Sequence, residues 1–547
     1  MKNKQLLVLF IFLSSYCFGL TGAKYLVITP DNFVTAVKPL ADWKTKKGVK
    51  AMVVPTSISG SSSSQIKTYI LNGYNTWDIK PEYVLIAGSS SYVPASGNSD
   101  DYYADMTGSF RIELSVGRFP CASVSQIQNL VAKTLAYERT PYLTDSTWFI
   151  KGTTIVREDG SSPPDNVFWE NARFVHGLWR HAYYAQIDSF SSARGNNSGN
   201  VSSSINNGRG FIMFRGESVT NWWSPFAMIP ENLTNGYKTP IVISGTCATA
   251  SMSTTGYLGD NFVNAGTASN PKGAVGFFGT TVVSSGSNLA LNRGVVAKGF
   301  FDAIFGYGML TMGDATKLAK LIIDSIQPPS YSSVRYSEWE LFGDPELNIW
   351  TSIPQLTTVL HDTIITATPQ NFAVTVRIGN NNLPNALVCI MMDSTIYQYG
   401  RTNNSGLVTF SISPSILGTM SVTVTAQNMI PYEKDVTIIA SGINEGETRF
   451  TKPNNTTMLY TAKPNPMADN FTQISFTLSE LTNTSLKIYN ATGRPVKTLL
   501  NSKLQQGNYN LTWNGTDNHN SQVAEGIYFY TLVTDKNSYT KKLIYTR

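Results

Sequence analysis

Two short apolar runs, Phe211-Ile-Met-Phe-Arg-Gly-Glu217 and Ile241-Val-Ile-Ser-Gly-Thr-Cys247, constrain the fold more than any other stretch of the chain. Each is too short for a typical helix, is rich in β-branched, aromatic or aliphatic residues, and reaches a glycine just before a reactive side chain. Runs of this kind predict strands buried on both faces, hence a parallel sheet covered by helices, with chemistry placed beyond the carboxyl ends of the strands. Glu217 and Cys247 are then expected on neighbouring strand ends, because the 30 residues between them (247 − 217) leave room for one crossover. That crossover carries Trp222, Trp223 and Pro225, and the two tryptophans are candidates for a pocket wall.

The remainder of the first 350 residues fits the same plan. Tyr25 to Ile28, Ala51 to Val54 and Tyr83 to Ala87 read as buried strands, alternating with amphipathic helices near 33–47 and 64–74. A second half begins near residue 140, with a strand within 146–156, a helix from Val167 to Tyr184, a strand at 273–279, and helices at 295–305 and 312–325. From Pro354 the helical periodicity ends. Runs such as Phe372-Ala-Val-Thr-Val-Arg-Ile378 alternate apolar and polar residues between Asn- and Gly-rich turns, which predicts an immunoglobulin-like β-sandwich over 351–440. Residues 441–458 read as a linker and 459–547 as a second β-sandwich.

A length of 547 residues requires several domains, and a charged fraction of only 14% suits packed ones. The net charge of +6 is small and unclustered, which gives nucleic-acid binding no support. Residues 1–23 read as a secretory signal peptide cleaved near Ala23, and no later stretch is apolar enough for a transmembrane helix. Cys17 leaves with that signal, so Cys121, Cys247 and Cys389 remain, an odd number that does not suggest a disulfide framework. Cys121 and Cys389 occupy patterns where a small buried hydrophobe suffices, whereas Cys247 follows Gly-Thr at a strand end.

A strand-end cysteine beside a strand-end partner is the layout of the caspase-like clan of cysteine peptidases, and the sequence resembles the gingipain family in particular. The family's His-Gly-Ser signature, with Trp six positions after the His, lies over Glu217-Ser218-Val219 and Trp223. Leu114-Ser-Val-Gly-Arg-Phe-Pro120, Leu258-Gly-Asp-Asn-Phe262 and Phe342-Gly-Asp-Pro-Glu-Leu347 extend the likeness over residues 24 to 350. The resemblance implies Cys247 as nucleophile, Glu217 at the position of the family's catalytic histidine, and an oxyanion hole formed by the backbone N–H groups of Ser218 and Cys247. It also implies a protein or peptide as substrate or ligand. The order of motifs after residue 459 resembles the C-terminal sorting domain read by the type IX secretion machinery of Gram-negative bacteria, which implies export through the periplasm to the cell surface or medium. An ordinary adhesive sandwich would share that fold.

Three further sites stand apart from this pair. Asp100, Asp101 and Asp105 could hold a calcium ion or solvate a turn, and no other cofactor is expected. Arg118 suits a structural ion pair. His176 and His181 lie mid-helix, where packing or surface roles are expected rather than a replacement base.

The Glu at 217 decides the chemistry. A cysteine peptidase needs a thiolate at neutral pH and a proton donor for the leaving amine, and one imidazole serves both needs. A carboxylate beside a thiol disfavours the thiolate, and at neutral pH it holds almost no proton to donate. The sequence therefore admits an exported pseudopeptidase with a binding or scaffolding role, an active peptidase using Glu217 or another base, or an adhesive protein that keeps only the fold.

Overall fold

The computed structural model of the chain describes residues 21–109, 111–160, 164–252, 256–283, 289–326, 338–393, 395–439, 457–467, 471–518 and 521–546. Residues 1–20 of the expected signal peptide and 441–456 of the expected linker lie outside these. The chain divides into two compact units, Met1–Ser441 and Gly442–Arg547.

The first unit begins with strand β1 (Tyr25–Thr29), helix α1 (Val34–Lys46), β2 (Ala51–Pro55), α2 (Ser63–Thr76), β3 (Tyr83–Ala87), β4 (Ser115–Phe119) and α3 (Val124–Glu138). Its second half contains β5 (Lys151–Val156), α4 (Pro164–His181), β6 (Gln186–Ser191), α5 (Ser198–Asn206), β7 (Phe211–Arg215) and β8 (Ile241–Gly245). It closes with α6 (Leu258–Asn264), β9 (Gly276–Thr280), α7 (Leu289–Phe305), α8 (Met312–Ile326) and β10 (Trp339–Phe342). Ten strands form one sheet in the order β2-β1-β3-β4-β10-β9-β8-β7-β5-β6. Every pairing is parallel except β9 with β10.

The two expected halves are thus fused by an element that sequence patterning does not mark. β10 comes last of the ten strands yet inserts between β4 and β9, pairing Phe342 with Arg118 on one side and Phe277 on the other. Patterning does not mark β6 either, because Gln186-Ile-Asp-Ser-Phe-Ser191 at the sheet edge lacks the apolar run of a central strand. The strand expected from residue 146 starts at Lys151, after a 3-10 turn at Ser146–Ile150.

Every residue of β7 and β8 is buried, as the apolar runs require. Alternate side chains enter opposite layers: Ile212, Phe214 and Val242 join one core, and Phe211, Met213, Ile241 and Ile243 join the other. Among the described residues, Thr21 to Ala23 belong to the fold. Thr21 donates from N–H and hydroxyl to Asp78, its carbonyl accepts from Ile79 N–H, and Ala23 is buried. The folded edge therefore starts before the cleavage point expected near Ala23.

The first sandwich packs against the α/β layers inside the same unit. One sheet holds Thr358–Leu360, Gln370–Ile378, Asn381–Asn382 and Leu407–Ile412; the other orders Ile364–Thr366, Tyr432–Ile439, Gly418–Thr425, Leu387–Met392 and Ile396–Arg401. Glu433 bridges to Lys46 at 2.6 Å and to Arg139 at 2.6 Å, and the Cys389 thiol points at the Thr45 carbonyl at 3.8 Å. Gly48 turns α1 away with φ +98°; a Cβ there would lie 3.1 Å from Tyr399 Cβ, so glycine is required twice over.

The second unit is another sandwich, with Met458–Leu459, Thr472–Leu478 and Gly507–Trp513 in one sheet and Thr482–Asn490, Pro495–Leu504, Gly526–Thr534 and Ser538–Tyr545 in the other. Met458 opens its first strand, so the region expected as linker ends before that residue.

Candidate active site

Parallel pairing in register sets Arg215 beside Gly245 and beside Val156, so the residues that follow β5, β7 and β8 emerge side by side. Arg157 donates its N–H to the Arg215 carbonyl at 2.9 Å, which extends this alignment one residue past the strands. Beyond β7 and β8 the Cys247 thiol sits 4.0 Å from Glu217 Oε2, the outer range of a thiol donating to a carboxylate. Cys247 is 6% exposed and Glu217 is half-buried.

The loop bearing Cys247 is over-determined by its neighbours. Ala248 takes φ +29°, a left-handed value that costs a residue with a Cβ of order 1–3 kcal/mol. Its N–H donates to the Val282 carbonyl at 3.0 Å, and its carbonyl accepts from Thr220 N–H at 3.1 Å. Thr246 is held from two sides: Ser218 Oγ donates to its hydroxyl at 2.9 Å, and Thr280 Oγ1 donates to its carbonyl. Backbone strain at the residue after Cys247, locked by both flanking loops, fixes the direction of the thiol.

The crossover from β7 to β8 is a hairpin, Ser218–Val219 against Asn221–Trp222, followed by loop and a short 3-10 turn at Pro230–Asn232. This placement corrects the reading of Trp222 as a pocket wall. Trp222 is 1% exposed, stacks on Phe214 at 4.6 Å with 8° between planes, and donates Nε1–H to Ser244 Oγ at 3.0 Å. Its ring fills the layer over β7 and β8, against Phe214 and Ser244. Trp223 faces outward, 46% exposed, with the Arg157 guanidinium 5.4 Å from its ring centre. Ser218 is buried, and its backbone faces Trp222 in the hairpin.

Sequence reasoning assigned no role to Arg215, Arg293 or Arg157. Arg215 Nε donates to Asn171 Oδ1 at 2.9 Å and Nη1 donates to the Gly245 carbonyl. A Cβ at 245 would lie 2.7 Å from that Nη1, so the glycine before Thr246-Cys247 makes room for the arginine. Burial first, then the Arg293 charge, pulls Arg215 down to about 9 against the attraction of Glu217. The available signal was a lone charge inside an apolar strand run.

The remaining expected sites fall elsewhere. Asp100 accepts both Nε and Nη2 of Arg118 at 2.7 Å, which makes Arg118 a buried ion-pair residue, and Asp101 pairs with Lys320 at 2.6 Å. Asp105 instead accepts from the N–H groups of Gly108 and Ser109. Among the described residues these three carboxylates do not gather; those that do are Glu138, Asp344 and Glu346, and the ammonium groups of Lys44 and Lys47 fill the space between them.

His176 is buried against Thr154 Oγ1 at 2.7 Å, and burial, then Arg180, pushes it down to about 4; His181 is exposed. Cys121 and Cys389 are buried thiols pushed up to about 12 by desolvation, and neither they nor Cys247 are in a disulfide. A cleft of about 610 Å³ between the α/β layers and the first sandwich includes Lys24, Tyr83 and Arg401, at the amino-terminal edge of the sheet and away from Cys247.

Comparison with known proteins agrees with this architecture. Residues 19–350 match peptidase family C25, and residues 468–538 match the FlgD Ig-like domain. Lys-gingipain HG66 of Porphyromonas gingivalis is 23% identical over 457 residues, covering 76% of this chain and 26% of that protein, so the chain spans about a quarter of its length. Gingipain R2 of the same organism is 21% identical over 550 residues, covering 96% of this chain and 68% of its own. The crystal structure of the Arg-specific cysteine proteinase gingipain R superposes with a TM-score of 0.69 at 19% identity, over 76% of this chain and 98% of that one. No helix among the described residues is long and apolar enough to cross a membrane.

Proposed function

The chain belongs to peptidase family C25, and on that premise we propose that it is an exported gingipain-like protein whose proteolytic activity is lost or strongly reduced and whose role is to bind or scaffold peptide or protein at the cell surface. The observation that carries this reading is the 4.0 Å approach of Cys247 Sγ to Glu217 Oε2. The family resemblance puts the catalytic histidine at 217. With a carboxylate there, the site lacks the imidazole that would take the thiol proton and pass it to a leaving amine. Losing one member of such a catalytic unit typically lowers turnover by roughly three to six orders of magnitude.

The C-terminal β-unit supports export, since a separately folded sandwich at that position resembles the sorting domain of type IX substrates. Calcium at Asp100, Asp101 and Asp105 is not part of the proposal, because two of the three carboxylates are already matched by buried cations.

The test is restoration. Glu217→His with Ser218→Gly returns an imidazole and opens the backbone donor, and hydrolysis of fluorogenic peptides should appear together with faster alkylation of Cys247 at pH 7 by a peptidyl ketone. Cys247-dependent hydrolysis by the unmodified protein, abolished by Glu217→Gln, would overturn the reading and make Glu217 a working base.

A further inference from the structure

Helix α6 joins the segments that flank Cys247 to the first half of the chain. At its front end Leu258 N–H donates to the Thr220 carbonyl and Gly259 N–H to the Thr249 carbonyl, both at 2.8 Å. Thr220 N–H in turn donates at 3.1 Å to the carbonyl of Ala248, the residue in left-handed backbone that follows Cys247. Two amides that a helix leaves without internal partners are thus engaged by the two segments on either side of the thiol. Phe262 wedges the middle of α6 into the core, with its ring centre 5.8 Å from Trp222 and 5.9 Å from Phe277.

The back end of α6 is closed by α3. Lys133 Nζ donates to the carbonyls of Val263, Ala265 and Lys272, the last two at 3.2 Å and 3.1 Å. Asn129, one turn earlier on the same face of α3, donates from Nδ2 to the carbonyls of Asn264, Ala265 and Gly266 at 2.9, 3.2 and 3.2 Å. Its Oδ1 is buried without a hydrogen-bond partner among the described residues, so the amide is turned to present donors to the helix end. Asn264 Nδ2 adds a bond to the Pro120 carbonyl at 2.9 Å, and Glu231 accepts from Gly266 N–H at 2.8 Å. Lys133 is 1% exposed, and among the described residues no carboxylate lies at ion-pair distance from it. Burial pulls its ammonium down to about 7 against the attraction of Glu231. What matches this buried cation is a set of three carbonyls for its three N–H donors, at a helix C-terminus where positive charge is favoured.

We propose that Lys133 is a positioning residue for Cys247: by holding the C-terminal carbonyls of α6 it keeps the two front amides of that helix on Thr220 and Thr249, and through them keeps the thiol loop in place. The inference goes beyond the reading above, because it holds whether the site binds peptide or cleaves it. The physical basis is that a helix of two turns moves as a unit, so a loss of donors at one end is felt at the other.

The test compares the full chain with Lys133→Met by hydrogen exchange and by N-ethylmaleimide alkylation, both read by mass spectrometry at pH 6, where the lysine is charged. In the variant, exchange at the Leu258 and Gly259 amides and alkylation of Cys247 should each be about fivefold faster or more, while the amides of β1 and the Cys389 thiol stay within about twofold. Lys133→Gln, which keeps two N–H donors, should show a smaller change in the same places, and it carries the comparison should the Met variant fail to fold. Faster exchange confined to residues 263–266, with Cys247 unchanged, overturns the proposal by making Lys133 a local cap. An equal rise at β1 and Cys389 overturns it too, since that is general destabilisation. In the unmodified protein, free exchange at Leu258 and Gly259 would sink it without any variant.

Discussion

Replacing Lys44 with Met removes the centre of a buried charge cluster and should destabilise the first unit by about 3–5 kcal/mol. The Lys44 side chain is fully buried, and its ammonium lies 2.6 Å from Glu138, 2.6 Å from Asp344 and 2.7 Å from Glu346. Lys47 contacts Glu138 and Glu346, and Tyr25 donates its hydroxyl to Asp344 at 2.9 Å. The five groups carry two positive and three negative formal charges, and the Met variant leaves one against three. Met preserves most of the apolar stem, so the loss comes chiefly from uncompensated carboxylates rather than from a cavity.

The pH dependence has a definite sign. Burial opposes ionisation of Glu138, but the two lysines outweigh it and hold its carboxyl below the usual range. Such a group adds stability above its unfolded pKa and loses it as pH falls through the folded value. In the variant that depression is weakened, so the gap between the two proteins should be widest near pH 7 and narrow below about pH 5. Equilibrium denaturation by tryptophan fluorescence, with the first transition fitted at several pH values, measures it. A gap under about 1 kcal/mol at pH 7, or one independent of pH, would refute the claim that the lysine offsets buried charge. Cys247 alkylation in the folded variant should be unchanged, because the cluster joins α1 to the segment after β10 rather than to the strand ends that carry the thiol.

Trp222→Ala should cost about 3–5 kcal/mol through loss of a fully buried ring, and it should also change the Cys247 alkylation rate, since Ser244 and Phe214 lose their shared partner. His176, held neutral with a pKa of about 4, contributes stability above the unfolded imidazole value that is lost as pH falls from about 6.5 towards 4; His176→Gln should flatten that part of the stability curve, and an unchanged slope would count against it. Deleting residues 459–547 in a host with type IX export should leave a folded protein retained in the periplasm, and normal release would instead favour an adhesive role for the second unit.

What the sequence determined by itself follows from local rules. A strand buried on both faces needs an unbroken apolar run, so β1, β3, β7 and β8 were legible from their residues, and a half-buried strand needs alternation, so both sandwiches were legible too. The neighbourhood of Glu217 and Cys247 followed from strand ends in a parallel sheet. Tertiary structure decided what depends on partners distant in the chain. β10 inserts between strands formed more than 50 and 200 residues earlier, with nothing in Trp-Glu-Leu-Phe to announce it. Trp222 and Trp223 are adjacent and chemically alike, yet the hairpin turns one into the core and the other towards solvent. Lys44 meets Asp344 across 300 positions (344 − 44), and Arg215 is accommodated only because residue 245 has no side chain. Patterning reports the environment that a segment requires, whereas long-range packing selects which groups meet there, and beside the Cys247 thiol that selection puts the Glu217 carboxylate.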